Sequence, residues 1–521
     1  MTNCIQKIRE FMHEQGLNFL LVNSTNKYLV EYSKLQENSR YKLTGFSGST
    51  GDALVTPDNI FLFVDGRYHI QADLEVNHDE VTVVKLQTGQ TFLDELIKKI
   101  PNDIQLGIFA KKNSQKRIEY LQEKGVQIKL LNNDPLDENL VYDSSNIVEV
   151  MGVPSADKVN AIAEQVRNDG NALLVTNLEE VSYLFNLRDF SENYSSKIQG
   201  KAVILGERAR LLEDIDDFVE CYNGNIWVDK STINAYDFSL IGDKVKVLKD
   251  SPLKLMKSIK TDEEIEHYKE AFRRTDLAVK AIRDYIENND NISEYDIAEQ
   301  LEKEFKKYGA KSLSFKSIVA KDKNSALAHY SKCSKDEVIK EGSLVLIDCG
   351  AYYEQGLATD ITRVFVKGQP SQLQKQVYTT VLKMFLNAYN YCLLFQREGD
   401  RAAVEGFSID ALARKIYSEN QIDGFVFNHG LGHGIGISVH EYPPNLSPNE
   451  MAKVEIKDGM CFTIEPGLYN EKYFGVRLEN SCYMKDGKIH SFVKMNYEKK
   501  LIDFSMLTEQ EKEWLKEFEV L

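Results

Sequence analysis

Proline is scarce in this 521-residue chain, at ten residues, and no Gly/Ser-rich or low-complexity stretch supplies a flexible linker. Domain boundaries therefore have to be read from recurring patterns. Cysteine is scarce too: Cys4, Cys221, Cys333, Cys349, Cys392, Cys461 and Cys482 are odd in number, thinly spread and never in a CxxC pair. That argues against a disulfide framework and a zinc-cysteine site, and points to a reducing cytoplasm. No run approaches the roughly 18 uninterrupted apolar residues of a membrane span. The N-terminal segment MTNCIQKIREFMHEQGLNFLLV is broken by Lys7, Arg9, Glu10 and Glu14, so it reads as an amphipathic helix and not as a signal peptide. Positive charge is also in deficit. Lys and Arg number 64 against 80 Asp and Glu, a net charge of −16, which leaves no general attraction for nucleic acid or an anionic membrane.

What is present is ordinary for a soluble globular protein, 42% hydrophobic and 28% charged. At roughly 100–200 residues per domain the length predicts three or four domains. One recurrence organises the first half. Ile5, Ile8, Phe11 and Met12 fall at helical spacing and lead through Gly16 to the apolar run Phe19-Leu20-Leu21-Val22. The same order returns at Val159, Ile162, Ala163 and Val166, Gly170, and Ala172-Leu173-Leu174-Val175. A helix, a glycine stop and a buried strand, repeated at an offset of 154 residues, predict two tandem α/β domains, 1–150 and 151–252. A third region opens at Thr261, which forms a capping-box signature with Glu264 ahead of a long amphipathic helix. A second helix is expected from Ser293, with Gly309 as its stop. Strand-like runs 344–347 and 362–366 then flank a turn at Glu354-Gln355-Gly356, so 253–521 reads as an α+β domain.

The nine histidines would put about 0.2 of a residue in an average 12-residue window, yet residues 429–440 hold three, His429, His433 and His440. Glycines at 430, 432, 434 and 436 are expected to let backbone and imidazoles approach a ligand closely. The spacing GxGxGxG is neither GxGxxG nor GxxxxGK[ST], which disfavours a phosphate loop. His440-Glu441 is followed by Tyr-Pro-Pro, so no HExxH helix exists and a zincin is excluded. The acids come in hairpin-like pairs instead. Asp348 ends one apolar run and Asp360 begins the next, while Glu465 and Glu479 flank the segment 470–474. Four carboxylates beside apolar strand residues would be costly to bury without a cation. With one imidazole they suit two adjacent hard divalent ions, and so oxygen-rich a set favours manganese over zinc.

The run His329-Tyr330, DxGAxY with TDITR, HGxGHGIG with VHE, EPGLY and GVRLEN together resemble the metal-dependent Xaa-Pro aminopeptidases (aminopeptidase P) of the pita-bread fold. Residues 45–72 are similar to the first domain of the long three-domain form, 182–188 to its second, and 501–515 to its C-terminal extension. The resemblance implies two tandem creatinase-like α/β domains followed by a pita-bread catalytic domain. It implies Asp348, Asp360, His433, Glu465 and Glu479 as ligands of two ions, with Asp360 and Glu479 bridging. It further implies His329, His429 and His440 as substrate-site histidines and Arg477 as the residue that orients the carboxylates. Glu465 is then expected to take a proton from a water held between the ions. Asp348 and Asp360 stand twelve apart where the family spacing is eleven, and the extra residue is expected in the 354–356 turn. Substrates would be peptides with proline at the second position. The rival activities are a prolidase that takes only Xaa-Pro dipeptides, and a catalytically inactive peptide-binding relative. A homodimer through the catalytic region is also expected, because Leu501, Ile502, Phe504, Leu507, Trp514 and Leu515 exceed what a solvated tail needs; packing of that segment on its own domain is the alternative.

Overall fold

The computed structural model describes residues 2–87, 89–138, 140, 144–167, 171–395 and 403–518. The chain forms two compact units. One comprises Met1–Ser144, Val153–Leu187 and Ile198–Leu253; the other comprises Ser145–Gly152, Arg188–Lys197 and Lys254–Leu521.

The first unit is built on two sheets with related wiring. The helix Thr2–Glu14 ends where Gly16 takes φ +65° and returns its N–H to His13, and the strand Phe19–Val22 follows. That strand pairs antiparallel with Asp52–Val55 and parallel with Gln105–Phe109, and Gln127–Leu131 adds parallel beyond it. Ile60–Val64 pairs with 52–55 on the other side, and Val81–Lys85 forms the edge. In the second sheet Ala172–Val175 holds the equivalent place. It pairs antiparallel with Lys201–Leu205 and parallel with Ile226–Asp229, flanked by Arg208–Leu212 and Val245–Leu248. Leu20 and Val22 enter one apolar cluster and Leu21 another, so the strand is buried on both faces, and this is why it reads as an unbroken apolar run. The expected stop at Gly170 and the side chain of Val166 lie outside the described residues.

In the second unit the helix Asp262–Asn288 starts at a capping box made by Thr261 and Glu264, and Glu294–Lys307 starts at one made by Ser293 and Asp296. A three-stranded antiparallel sheet orders Ile318–Lys321, Leu344–Cys349 and Ile361–Val366. A five-stranded sheet orders Glu441–Leu446, Gly432–Gly434, Cys461–Ile464, Asn480–Lys485 and Lys488–Ser491. The helices Gln372–Tyr389 and Gly406–Glu419 contribute to the same apolar core as these strands. The C-terminal segment joins that core too. Leu501, Ile502, Leu507 and Leu515 are buried in it, Trp514 packs against it, and Phe504 is exposed. The apolar residues on which a dimer was expected are thus mostly consumed within the chain, because the segment folds back onto the helix 372–389.

Candidate metal centre

Two hairpins bring the acids together. From Leu344↔Val366 through Cys349↔Ile361 to the bridge Tyr352↔Ala358, the first hairpin runs without a register slip. Asp348 faces Thr362, so Asp360 projects from the same side of the sheet two residues along. The chain reverses over residues 353–357, where Gly356 takes φ +61° and its N–H returns to Tyr353. The second hairpin keeps one register from Cys461↔Tyr483 to Ile464↔Asn480 and again from Gly467↔Arg477 to Tyr469↔Gly475, which sets Glu465 opposite Glu479. The hairpins are then tied to each other, Glu479 N–H to the Thr362 carbonyl and Ser481 Oγ to the Asp360 carbonyl.

His433 completes the cluster from the strand 432–434. Its Nδ1 donates to the Gly434 carbonyl at 3.0 Å, which turns the Nε2 lone pair toward Glu465 Oε1 at 3.4 Å and Asp360 Oδ2 at 3.7 Å. One ligand atom each from Asp360, His433 and Glu479 lie within 4.8 Å of one another. A lone pair aimed at two carboxylates is repulsive unless a cation stands between them. The hydrogen-bond inventory agrees: Asp348 Oδ1, Asp360 Oδ1 and Glu479 Oε1 are buried and accept from no donor. Burial first, then the charges of Glu479, Asp348 and Glu465, hold the Asp360 carboxyl well above the usual range. Burial, Glu465 and Asp348 do the same to Glu479. Unfilled acceptors and mutually repelling acids are what a divalent ion would satisfy.

Arg477 is a fixed cation in contact with these acids. It is buried, donates to Asp348 Oδ2 and Thr362 Oγ1, and lies 3.9 Å from Glu465. Burial opposes its charge, but Tyr469, Asp348 and Glu465 raise it well above the ordinary arginine value. One arginine does not balance four carboxylates. Arg477 also donates to the Tyr469 hydroxyl at 2.8 Å, and that hydroxyl donates onward to His429 Nε2 at 2.9 Å, since His429 Nδ1 is committed to the Gly430 carbonyl. His440 stacks edge-on against His433 with ring centroids 4.4 Å apart. His329 sits half-buried on a segment anchored by Ser325, whose hydroxyl donates to the Gly475 carbonyl and accepts its N–H, two residues from Arg477.

Sequence reasoning passed over Tyr469 and Thr362 as individual residues, although both lie inside quoted motifs. Thr362 donates to Glu479 Oε2 at 2.8 Å, and its signal was the two-residue offset from Asp360 along one strand face. The glycines act differently from expectation. A Cβ at Gly434 would lie 2.2 Å from the Glu441 carbonyl and one at Gly436 would lie 2.4 Å from the Glu441 carboxylate. They admit the protein's own strands to close contact, where approach of a ligand was expected.

Residues 266–486, which carry all four clustered acids and His433, match metallopeptidase family M24, and residues 5–140 match the creatinase/prolidase N-terminal domain. Among individual relatives, the chain is 28% identical to Xaa-Pro aminopeptidase 1 of Dictyostelium discoideum, covering 99% of this chain and 91% of that protein. It is 27% identical to a probable Xaa-Pro aminopeptidase P of Coprinopsis cinerea, covering 98% and 93%. The crystal structure of X-prolyl aminopeptidase from Caenorhabditis elegans, a cytosolic enzyme with a di-nuclear active site, superposes with a TM-score of 0.86 at 21% identity, covering 99% of this chain and 94% of that one. The fold is therefore the creatinase N-terminal and pita-bread arrangement over the whole chain.

Proposed function

We propose that this chain is a dinuclear-metal aminopeptidase that hydrolyses the bond between an N-terminal residue and a penultimate proline. The carrying observation is the cluster Asp348, Asp360, His433, Glu465 and Glu479 with its three buried carboxylate oxygens that accept from no donor, in a chain similar to Xaa-Pro aminopeptidases along nearly its full length. Asp348, Asp360, His433, Glu465 and Glu479 would hold two divalent ions, which would supply Lewis-acid polarisation of the scissile carbonyl and acidify a water enough to act as nucleophile at neutral pH. Manganese is the proposed ion, since four of the five ligands are carboxylates.

The protein groups have separable tasks. Glu465 is the most accessible of the acids, 18% exposed at the side chain against 12% for Asp348 and 6% for Asp360, which supports it as the acid proposed to take the attacking water's proton. Arg477 holds Asp348 and Glu465 in orientation. His440 and His329 are the donors proposed for the developing oxyanion, and His429, fixed by Tyr469, for the substrate chain. A prolyl nitrogen carries no hydrogen, so the site must accept a ring without requiring an N–H donor there.

The two sheets of the first unit are proposed to be two tandem creatinase-like domains divided near residue 150, with the catalytic domain beginning near 253. No described helix is long and apolar enough to cross a membrane, and all seven cysteines are free, which supports a cytoplasmic location. A homodimer stays a proposal without the C-terminal segment as its ground; sedimentation at micromolar concentration decides it.

The test compares kcat/KM for Xaa-Pro-Yaa, the Xaa-Pro dipeptide and Xaa-Ala-Yaa with bound metal measured in the same samples. The tripeptide is expected to be fastest, and Asp360→Asn is expected to lose metal and activity together. Faster cleavage of the dipeptide would make the protein a prolidase, and full activity after exhaustive chelation would remove the metal centre from the reaction.

A further inference from the structure

Next to His440 lies a buried charge cluster that the hydrolytic chemistry does not use. Glu441 is 3% exposed. Its Oε1 is 2.6 Å from Lys260 Nζ, and its Oε2 is 3.6 Å from Lys257 Nζ and accepts the Ile437 N–H at 2.9 Å. Both lysines are buried as well. Burial alone would raise the Glu441 carboxyl, but the two lysines bring it down to about 2, so it is ionised at any working pH. Both oxygens are engaged, which leaves Glu441 no part as a metal ligand. Burying three charges is expensive, and such clusters are best understood as fixing one geometry among alternatives.

The geometry fixed here is the turn 435–440. Its inner side rests on Glu441, with Gly436 too close to the carboxylate to carry a side chain. Its outer side is held by the strap Arg188–Lys197, which belongs to the same compact unit. Ser196 Oγ donates to the Gly356 carbonyl at 2.7 Å and the Ile437 carbonyl at 3.2 Å, and Lys197 Nζ donates to Ser438 Oγ at 2.8 Å. The Ala358 N–H donates to the Gly436 carbonyl at 2.8 Å. Carboxylate, strap and neighbouring loop thus fix successive residues of the turn that ends in His440, whose ring meets His433.

We propose that Glu441 is a positioning residue for peptide hydrolysis: clamped by Lys260 and Lys257, it sets the 436–440 turn and thereby the place of the His440 imidazole beside the metal cluster. The role of His440 rests on the proposed peptidase activity; its placement does not. A side chain acting through another makes no separate contribution once that other is gone, and this separates positioning from general support of the fold.

The experiment uses the full chain, with Mn2+ for kinetics and metal-free for NMR. Glu441→Gln is expected to keep two bound metals, to lower kcat for Xaa-Pro-Yaa at least 30-fold with KM within threefold, and to shift the His440 ring resonance, assigned by its loss in His440→Ala, while leaving that of His329 in place. In the His440→Ala background the same change is expected to cost less than twofold. Should Glu441→Gln not fold, Ser196→Ala and Lys197→Met act on the outer side of the turn and are expected to give smaller losses with the same non-additivity. A folded variant whose His440 resonance does not move, or losses that multiply in the double variants, overturns the proposal. Wild type that leaves the peptide uncut overturns the peptidase assignment instead, and the resonance shift then still reads the positioning.

Discussion

Tyr469 carries two obligations with one hydroxyl. It accepts from Arg477 and donates to His429, and burial, against the opposing pull of Arg477, pushes it up to about 12, so it keeps its proton across the neutral range. Phenylalanine at this position would remove the acceptor of the Arg477 N–H and the hydroxyl that donates to His429 Nε2. A lost hydrogen bond to a charged group is worth about 1.5–3 kcal/mol, or roughly ten- to a hundredfold in rate if it is felt in the transition state. Tyr469→Phe is therefore expected to lower kcat by about tenfold or more while both metals stay bound, read by steady-state kinetics and metal analysis of one sample. Glu465 differs, being ligand and proposed base together. Glu465→Gln keeps the shape, and its metal-replete fraction is expected to turn over at least about a hundredfold more slowly. Near-normal kcat in that fraction would take Glu465 out of proton transfer.

At the scale of elements, helix 262–288 buries an acid with no function in the cluster. Asp276 accepts the Lys494 N–H at 2.7 Å through one oxygen, and the other is buried without a donor. Burial raises it to about 7, with the Lys494 and Met495 backbone bonds and the Arg363 charge pulling the other way. A carboxyl whose folded pKa exceeds its ordinary value of 3.8 binds its proton more tightly in the folded chain. Its penalty is absent below about pH 4, grows as pH rises, and is complete above about pH 7. Asp276→Asn keeps an acceptor for the Lys494 N–H and abolishes the charge. The variant is expected to raise Tm by a few degrees at pH 8 and by less than half as much at pH 5, a difference that thermal melts at the two values check. An equal shift at both would assign the effect to packing.

For the whole molecule, the second unit is discontinuous in sequence. Ser145–Gly152 and Arg188–Lys197 belong to it although they precede residue 253, and Ser196 and Lys197 hold the turn that carries His440. A fragment 254–521, cut where the sequence pattern changes, lacks both segments. It is expected to melt well below the full chain and to have lost most of its peptidase activity even when metal-loaded, as circular dichroism and peptide assay would register. A fragment as stable and as active as the full chain would make the strap dispensable.

Much of this protein is determined locally and was legible in the order of its residues. Capping boxes at Thr261, glycine stops at Gly16 and Gly309, and buried strands at 19–22 and 172–175 follow from side-chain chemistry within a few positions, so the elements and the repeated wiring could be read directly. The paired acids were legible for the same reason: Asp348 and Asp360, like Glu465 and Glu479, each sit across one short turn. Only the tertiary structure decided what meets across long separations. Arg477 on Asp348 spans 129 residues, Lys260 on Glu441 181, and Lys197 on Ser438 241. A hydrogen bond between such residues leaves no period or spacing in the sequence, because its partners are brought together by the packing of the strands and helices between them and not by the geometry of any one element.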